Sequence, residues 1–263
     1  MPEHSATAAD LVRPASEQPR RPELALYASG EIASNLSWNM VTGFLLVYYT
    51  DVALIPAAQL GLLFLLTRLV DAVADIFIGL RVDRTRSRWG KARPYLLYGA
   101  IPFGLLSIAV FAVPDAAVGT KVLYAWVTFL LPGLSYSAVY IPYAAMQPLI
   151  SSRPADQVLL GSWRSMGTSI ASIIVYSLVQ PMVAAAGGGT HGYLVTAIVF
   201  SVLSAALYLL VFRGTTERVA LAAANAAPAR FSFADLFGNR IWLGTLALQF
   251  VTFVRLGLLV SAL

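Results

Sequence analysis

The sequence predicts an all-α membrane protein: six spanning helices in one bundle, a linker, and a seventh helix. Three observations carry this. Hydrophobic residues are 58% of the chain and charged residues only 12%, about half the charged share of an ordinary soluble domain. Seven stretches approach or exceed the roughly 20 apolar residues that a helix needs to cross a bilayer. The basic residues gather on alternate connections between those stretches. There is no cysteine, which excludes disulfides and thiolate metal sites, and two histidines are too few for a histidine metal cluster. The net charge of +5 lies mostly in short loops, where it sets topology, and gives no support for a nucleic-acid partner.

Residues 1–23, "MPEHSATAADLVRPASEQPRRPE", are polar and mixed in charge and lack the apolar core of a signal peptide, so they read as a disordered cytoplasmic tail. The first span is expected over 24–50 and the second over 57–81, separated by "ALIPAAQ". The third covers 94–114. The breakers "AVPDAAVGT", "SSRPADQ" and "AAAGGGTHG" then set off spans at 119–148, 158–184 and 190–212. Residues 24–212 thus form a six-helix unit. The stretch 213–240 reads as a cytoplasmic linker, with a short surface helix at "FSFADLFG", and 241–263 as the seventh span. The tail and the second, fourth and sixth connections hold nearly all the loop arginines, while the opposite side holds only Lys121. The positive-inside rule therefore places the N-terminus in the cytoplasm of a multi-pass protein. Six spans, a linker and one more helix make an inventory of half a two-bundle transporter plus the first helix of its second half.

The second span, "RLVDAVADIFIGLRVDR", carries charge where charge is expensive. Asp71, Asp75, Gly79 and Asp83 are four residues apart and share one helical face, with Arg68 one turn before Asp71. A charged residue at the bilayer centre costs about 2.5–3.5 kcal/mol on insertion scales. Two carboxylates a turn apart also resist being ionised together. A bound proton, a bound cation or a basic partner would offset both costs. The bland alternative is an ion pair of Arg68 with Asp71, but the second acid favours a coupling site. Gly79 permits close helix approach. Asp83 and Arg84 fall at the cytoplasmic rim, where Asp83 can cap or pair across a neighbouring helix end.

In the first span, "GEIASNLSWNM" sets Glu31, Asn35 and Asn39 in a polar stripe. Asparagine amides both donate and accept, which suits hydroxyl-rich ligands, and Trp38 offers an apolar face to a sugar ring. The alternative is that the asparagines join neighbouring helices. Glu31 is expected nearer the cytoplasmic end, beside a loop arginine. In the fifth span, the Arg164 guanidinium can fork onto a carboxylate or onto two sugar hydroxyls. The fourth span adds Tyr136, Ser137, Tyr140 and Tyr143, the tyrosines at helical spacing. No nucleophile-elbow or zinc-peptidase motif is present, so nothing in the sequence supports an enzyme.

The strings "YYTDV", "RLVDAVAD", "DRTRSRWGKARPYLLYG" and "YIPYAAMQPLI", in this order and spacing, resemble the glycoside-pentoside-hexuronide:cation symporter family of the major facilitator superfamily, typified by melibiose permease. The "G-x-x-x-D-[RK]" of Gly79, Asp83 and Arg84 resembles the superfamily's loop signature. The resemblance implies a major-facilitator fold truncated after its seventh helix, a plasma-membrane location and alternating access around a central cavity. It implies cation ligands at Asp71, Asp75 and Ser137, with Arg68 a turn below them. It implies substrate contacts at Arg164 and at Asn35 and Tyr140, which stand where melibiose permease has sugar-binding aspartates. Asp71, Asp75 and Arg164 are expected to face one cavity; the alternative to a substrate contact is a salt bridge of Arg164 to the aspartates in the empty state. Two departures matter. Ala74 replaces an asparagine of the cation shell, which favours H+ over Na+ or Li+ because a hard cation needs several oxygen ligands. Ala144 replaces the aromatic that stacks on the sugar, which argues against melibiose but not against a sugar or glycoside. No cofactor is implied beyond the coupling ion. The rival readings are a half-bundle scaffold that transports nothing, or that self-associates to enclose a cavity, and a lipid or drug carrier on the same fold.

Overall fold

The computed structural model describes residues 21–217 together with 238, 243–248 and 251. Six long helices account for most of the first stretch: α1 (Arg21–Val47), α2 (Ala57–Arg84), α3 (Arg93–Ala109), α4 (Val118–Ile150), α5 (Pro154–Ala185) and α6 (Gly189–Gly214). No strand occurs among the described residues, and the all-α class holds. By length and apolar composition α4, α5 and α6 each suffice to cross a membrane. With 27 and 28 residues, α1 and α2 are long enough as well. They carry the in-span charges that lower their apolar content.

The chain divides into two units, 1–224 and 225–263. Within the second, the described residues 238, 243–248 and 251 are helical. Most of the expected tail, nearly all of the linker with its "FSFADLFG" segment, and most of the seventh span lie outside the described residues.

Helix ends follow local chemistry. Pro94 and Pro154 sit in the first turns of α3 and α5, where a missing N–H costs nothing. The first span runs past α1 through a π-helical turn at Tyr48–Val52. There Tyr48 Oη donates to the carbonyl of Phe111 (2.8 Å), tying the turn to the end of α3. α3 stops at Ala109, short of the expected 114. Pro114 disfavours helix at the residue before it, and the chain closes instead with a tight turn from Phe111 N to Ile108 O (3.0 Å). Between α5 and α6, Gly187, Gly188 and Gly189 all take positive φ (92°, 70° and 54°), a run that only glycine adopts readily.

In the first unit α1 packs on α5 and α6, α3 on α4 and α6, and α2 on α4. Two core layers stack along the bundle. One gathers Leu36 to Tyr49 with Phe111, Phe129, Val179 and Phe200; the other gathers Tyr27, Leu96, Phe103, Tyr143, Met146, Leu160 and Tyr208. A carboxylate closes the second layer. Glu217, only 1% exposed, accepts hydrogen bonds from the backbone N–H groups of Lys91 (2.7 Å), Ala92 (2.9 Å) and Arg93 (2.9 Å). These donors lie at the N-terminus of α3, from the residue before its N-cap Ala92 to its first residue, and an anion there is favoured by the helix dipole. Gly90, at φ 106°, leaves room for that carboxylate; a Cβ would collide with it. Arg93 returns the contact by donating from Nε to the carbonyl of Phe212 near the end of α6 (3.2 Å).

Candidate functional site

Glu31 and Arg164 form an ion pair inside the bundle (Nε to Oε2, 3.1 Å). Helix packing puts them there. Gly167 of α5 lies against the backbone of Ala28 on α1, where a Cβ would come within 2.7 Å of the Ala28 carbonyl oxygen. This close approach brings Arg164 over Glu31. The helices run in the same sense, since Asn39 Nδ2 donates to Ser172 Oγ further along (3.2 Å). Glu31, Arg164 and Tyr140 each lie ten residues from a helix end, at Arg21, Pro154 and Ile150. At 1.5 Å per residue all three sit roughly 15 Å deep from the same side of the bundle.

The pair is embedded in hydrogen bonds. Arg164 Nη1 donates to Gln147 Oε1 (3.1 Å) and Nη2 to Tyr140 Oη (3.2 Å). Tyr140 Oη in turn donates to Glu31 Oε1 (3.1 Å), and Thr168 Oγ1 donates to the same oxygen (3.3 Å). The guanidinium also lies over the Tyr143 ring, 5.4 Å from its centroid. Tyr143 is locked by a reciprocal clasp: its Oη donates to the Tyr27 carbonyl (2.8 Å), and Tyr27 Oη to the Tyr143 carbonyl (3.3 Å). Beside the network, Trp38 stacks on Tyr136 (centroids 4.4 Å apart, 10° between planes), and Tyr136 stacks on Tyr140 (5.1 Å, 11°). One face of Trp38 is therefore covered by Tyr136. Asn35 Nδ2 donates to the Glu31 carbonyl of its own helix (2.8 Å).

Two of the alternative pairings need correction. Glu31 pairs with Arg164 inside the bundle, not with a loop arginine. Arg164 pairs with Glu31, not with Asp71 or Asp75. The reason is common to both: α5 packs on α1, whereas α2 packs on α4. Gln147 and Thr168 were not anticipated. Gln147 falls seven residues after Tyr140, on the same α4 face, and that periodicity is its one signal in the sequence.

The acids of α2 form a second locus. Asp71 is half-buried and its carboxylate lies against Gly133, where a Cβ would approach Oδ1 to 3.0 Å. That Oδ1 is buried without a hydrogen-bond partner. Phe64 meets Phe129 (5.0 Å) and Asp71 meets Gly133, so α2 and α4 run in the same sense. One turn further, Asp75 comes level with Ser137. Ser137 is buried and Asp75 exposed. Arg68 is exposed, lines a cleft with Thr42, Phe64 and Phe129, and forms no ion pair with Asp71 within 4 Å. Gly79 makes no close helix contact among the described residues: a Cβ there meets nothing within 4 Å. Asp83 and Arg84 are exposed at the end of α2. No ion pair of Asp83 occurs among the described residues, because its side chain faces away from its neighbours and is exposed.

Comparison with known proteins gives a consistent result. Residues 26–263 match the family described as MFS/sugar transport protein. An isoprimeverose transporter of Lactiplantibacillus pentosus is 35% identical over 260 residues, which is 95% of this chain and 54% of that protein. The inner membrane symporter YicJ of Escherichia coli (strain K12) is 35% identical over 218 residues (82% and 47% of the two chains). A glucuronide carrier protein homolog of the same organism is 37% identical over 196 residues (73% and 43%). The chain spans about half the length of the curated relatives it matches.

Proposed function

Because the chain belongs to the MFS/sugar transport protein family, an integral membrane family of transporters rather than enzymes, we propose that it supplies the ligand- and ion-handling bundle of a plasma-membrane symporter. That symporter couples uptake of a sugar or glycoside to a cation by alternating access, with the N-terminus in the cytoplasm. One observation carries the reading: a charged, hydrogen-bonded network of Glu31, Tyr140, Gln147, Arg164 and Thr168 stands roughly 15 Å deep in an apolar bundle. Intramembrane charge of this kind is expensive and marks transport pathways. Asn35, Trp38 and Tyr140 line the substrate side of this network, and Arg164 offers its remaining donors to ligand hydroxyls.

Asp71 and Asp75 take the coupling ion, with Ser137 as a hydroxyl ligand. The buried, unpartnered Oδ1 of Asp71 supports this, since an orphan acceptor is costly until a proton or cation meets it. Ala74 supplies no oxygen to the shell, which favours H+. Gly79, Asp83 and Arg84 belong to the gating end of α2, and Arg68 acts a turn before Asp71 as a second gating residue. The test is accumulation of labelled methyl glycosides by proteoliposomes containing the full-length protein, under an imposed pH gradient and separately under a sodium gradient. Accumulation above equilibrium driven by the pH gradient is expected. Equilibration without accumulation under either gradient contradicts the coupling, and no glycoside entry at all contradicts the substrate class.

A further inference from the structure

Arg164 is the one cation in the network, and its partners decide what charge a ligand can bring. Of the five N–H donors of a guanidinium, three are engaged: Nε with Glu31, one on Nη1 with Gln147 and one on Nη2 with Tyr140. Two remain. The anion is the inner partner, since the Glu31 side chain is 7% exposed against 20% for Arg164. Its Oε1 is held from two further sides by Tyr140 and Thr168. All of these residues sit on long helices, not loops. Swinging Glu31 out of the way would break three hydrogen bonds and leave a buried carboxylate without its counter-charge, an expensive state.

We infer that Glu31 makes this site selective for uncharged glycosides over uronides and sulfonated sugars. The inference rests on the glycoside reading above and deepens it. Glu31 already stands at the guanidinium where a ligand carboxylate or sulfonate would need to be. Ligand hydroxyls can take the remaining N–H donors, in place of Tyr27 where it competes, and leave the ion pair intact. A ligand anion at the same donors places a second negative charge several ångströms from Glu31. That repulsion cancels most of the attraction of Arg164, and at the effective dielectric of a partly buried site the loss of affinity relative to an unpaired arginine is about 10- to 100-fold. The net charge of the Glu31–Arg164 pair is zero, so the pair offers a ligand anion no net attraction to offset its desolvation.

The experiment uses proteoliposomes containing the full-length protein and a labelled panel: methyl β-xyloside, β-glucoside, β-galactoside and β-glucuronide. For the wild type, initial uptake of the best neutral glycoside is expected to exceed that of the glucuronide by at least about tenfold, the lower end of the repulsion argued above. Glu31→Gln keeps the side-chain shape and removes the charge. It is expected to narrow that ratio by about tenfold, whereas Glu31→Asp retains it. A glucuronide taken up by the wild type as well as its neutral parent overturns the inference, and so does an unchanged ratio in Glu31→Gln. The wild-type ratio decides the matter alone if Glu31→Gln fails to insert. Uptake of no member of the panel is a separate result, because it overturns the sugar reading itself and the inference with it.

Discussion

Glu31 and Arg164 are 133 residues apart in sequence, and their pairing decides how the site is read. Removing one partner leaves a largely buried charge unpaired, a loss of about 3–5 kcal/mol where burial is complete. Glu31→Ala and Arg164→Ala are each expected to lower stability by somewhat less, about 2–4 kcal/mol, because Arg164 keeps some contact with solvent. The double variant is expected to cost less than the sum, with a coupling of about 1–3 kcal/mol. Thermal melting of the four proteins in detergent measures this, and strict additivity would show that the pair is not an energetic unit. At the α2 locus burial puts more weight on Asp71, whose Oδ1 is buried and unpartnered while Asp75 is exposed. Asp71→Asn in the full-length protein is expected to abolish gradient-driven accumulation while leaving downhill exchange, with a smaller effect from Asp75→Asn; equal and undiminished accumulation in both would reduce the acids to a structural role. Arg164, Asp71 and Tyr140 were legible because a polar residue inside an apolar run stands out. The partner of Glu31 was not, because it depends on how closely α5 approaches α1 at Gly167, and a contact between two helices leaves no periodicity in either.

The helices themselves were the most legible feature, since each apolar run is bounded by proline, glycine or clustered charge. The expected span 158–184 compares with α5 at Pro154–Ala185, and 190–212 with α6 at Gly189–Gly214. The π-helical turn at Tyr48–Val52 was not legible, because it is fixed by tertiary contacts of Tyr48 rather than by composition. Nor was the role of Glu217, which sequence leaves as one more charge after the sixth span. Its carboxylate takes three backbone donors at the start of α3 and holds the end of α6 against the loop after α2. Bonds to a charged acceptor contribute more than neutral ones, so Glu217→Ala is expected to cost about 2–4 kcal/mol. Gly90→Ala forces positive φ on a side chain and drives its Cβ into the same carboxylate. It is expected to be destabilising by about 1–3 kcal/mol alone, and by less in the Glu217→Ala background, where the collision is gone. Equal costs in both backgrounds, measured by melting temperature, would mean that only backbone strain is at work.

Across the whole molecule, the lopsided basic residues predict which side each loop faces. The chain has no cysteine, so a single introduced one reports its own position. Arg86→Cys, in the loop after α2, is expected to resist an impermeant thiol reagent in intact cells, and Ala116→Cys, in the loop before α4, to react. Both positions are exposed, so the reverse pattern would invert the topology. The two loci described above, acids on α2 and the Glu31–Arg164 network between α1, α4 and α5, lie in one bundle. Their coupling is the central claim, and proton movement with sugar tests it most directly. De-energised cells that express the full-length protein are suspended in weakly buffered medium, a neutral methyl glycoside is added, and external pH is recorded. The account predicts prompt alkalinisation of the medium as protons enter with the sugar, and its loss in Asp71→Asn although the sugar still equilibrates. Sugar entry with no pH change in the wild type, or entry that responds to sodium alone, would contradict it.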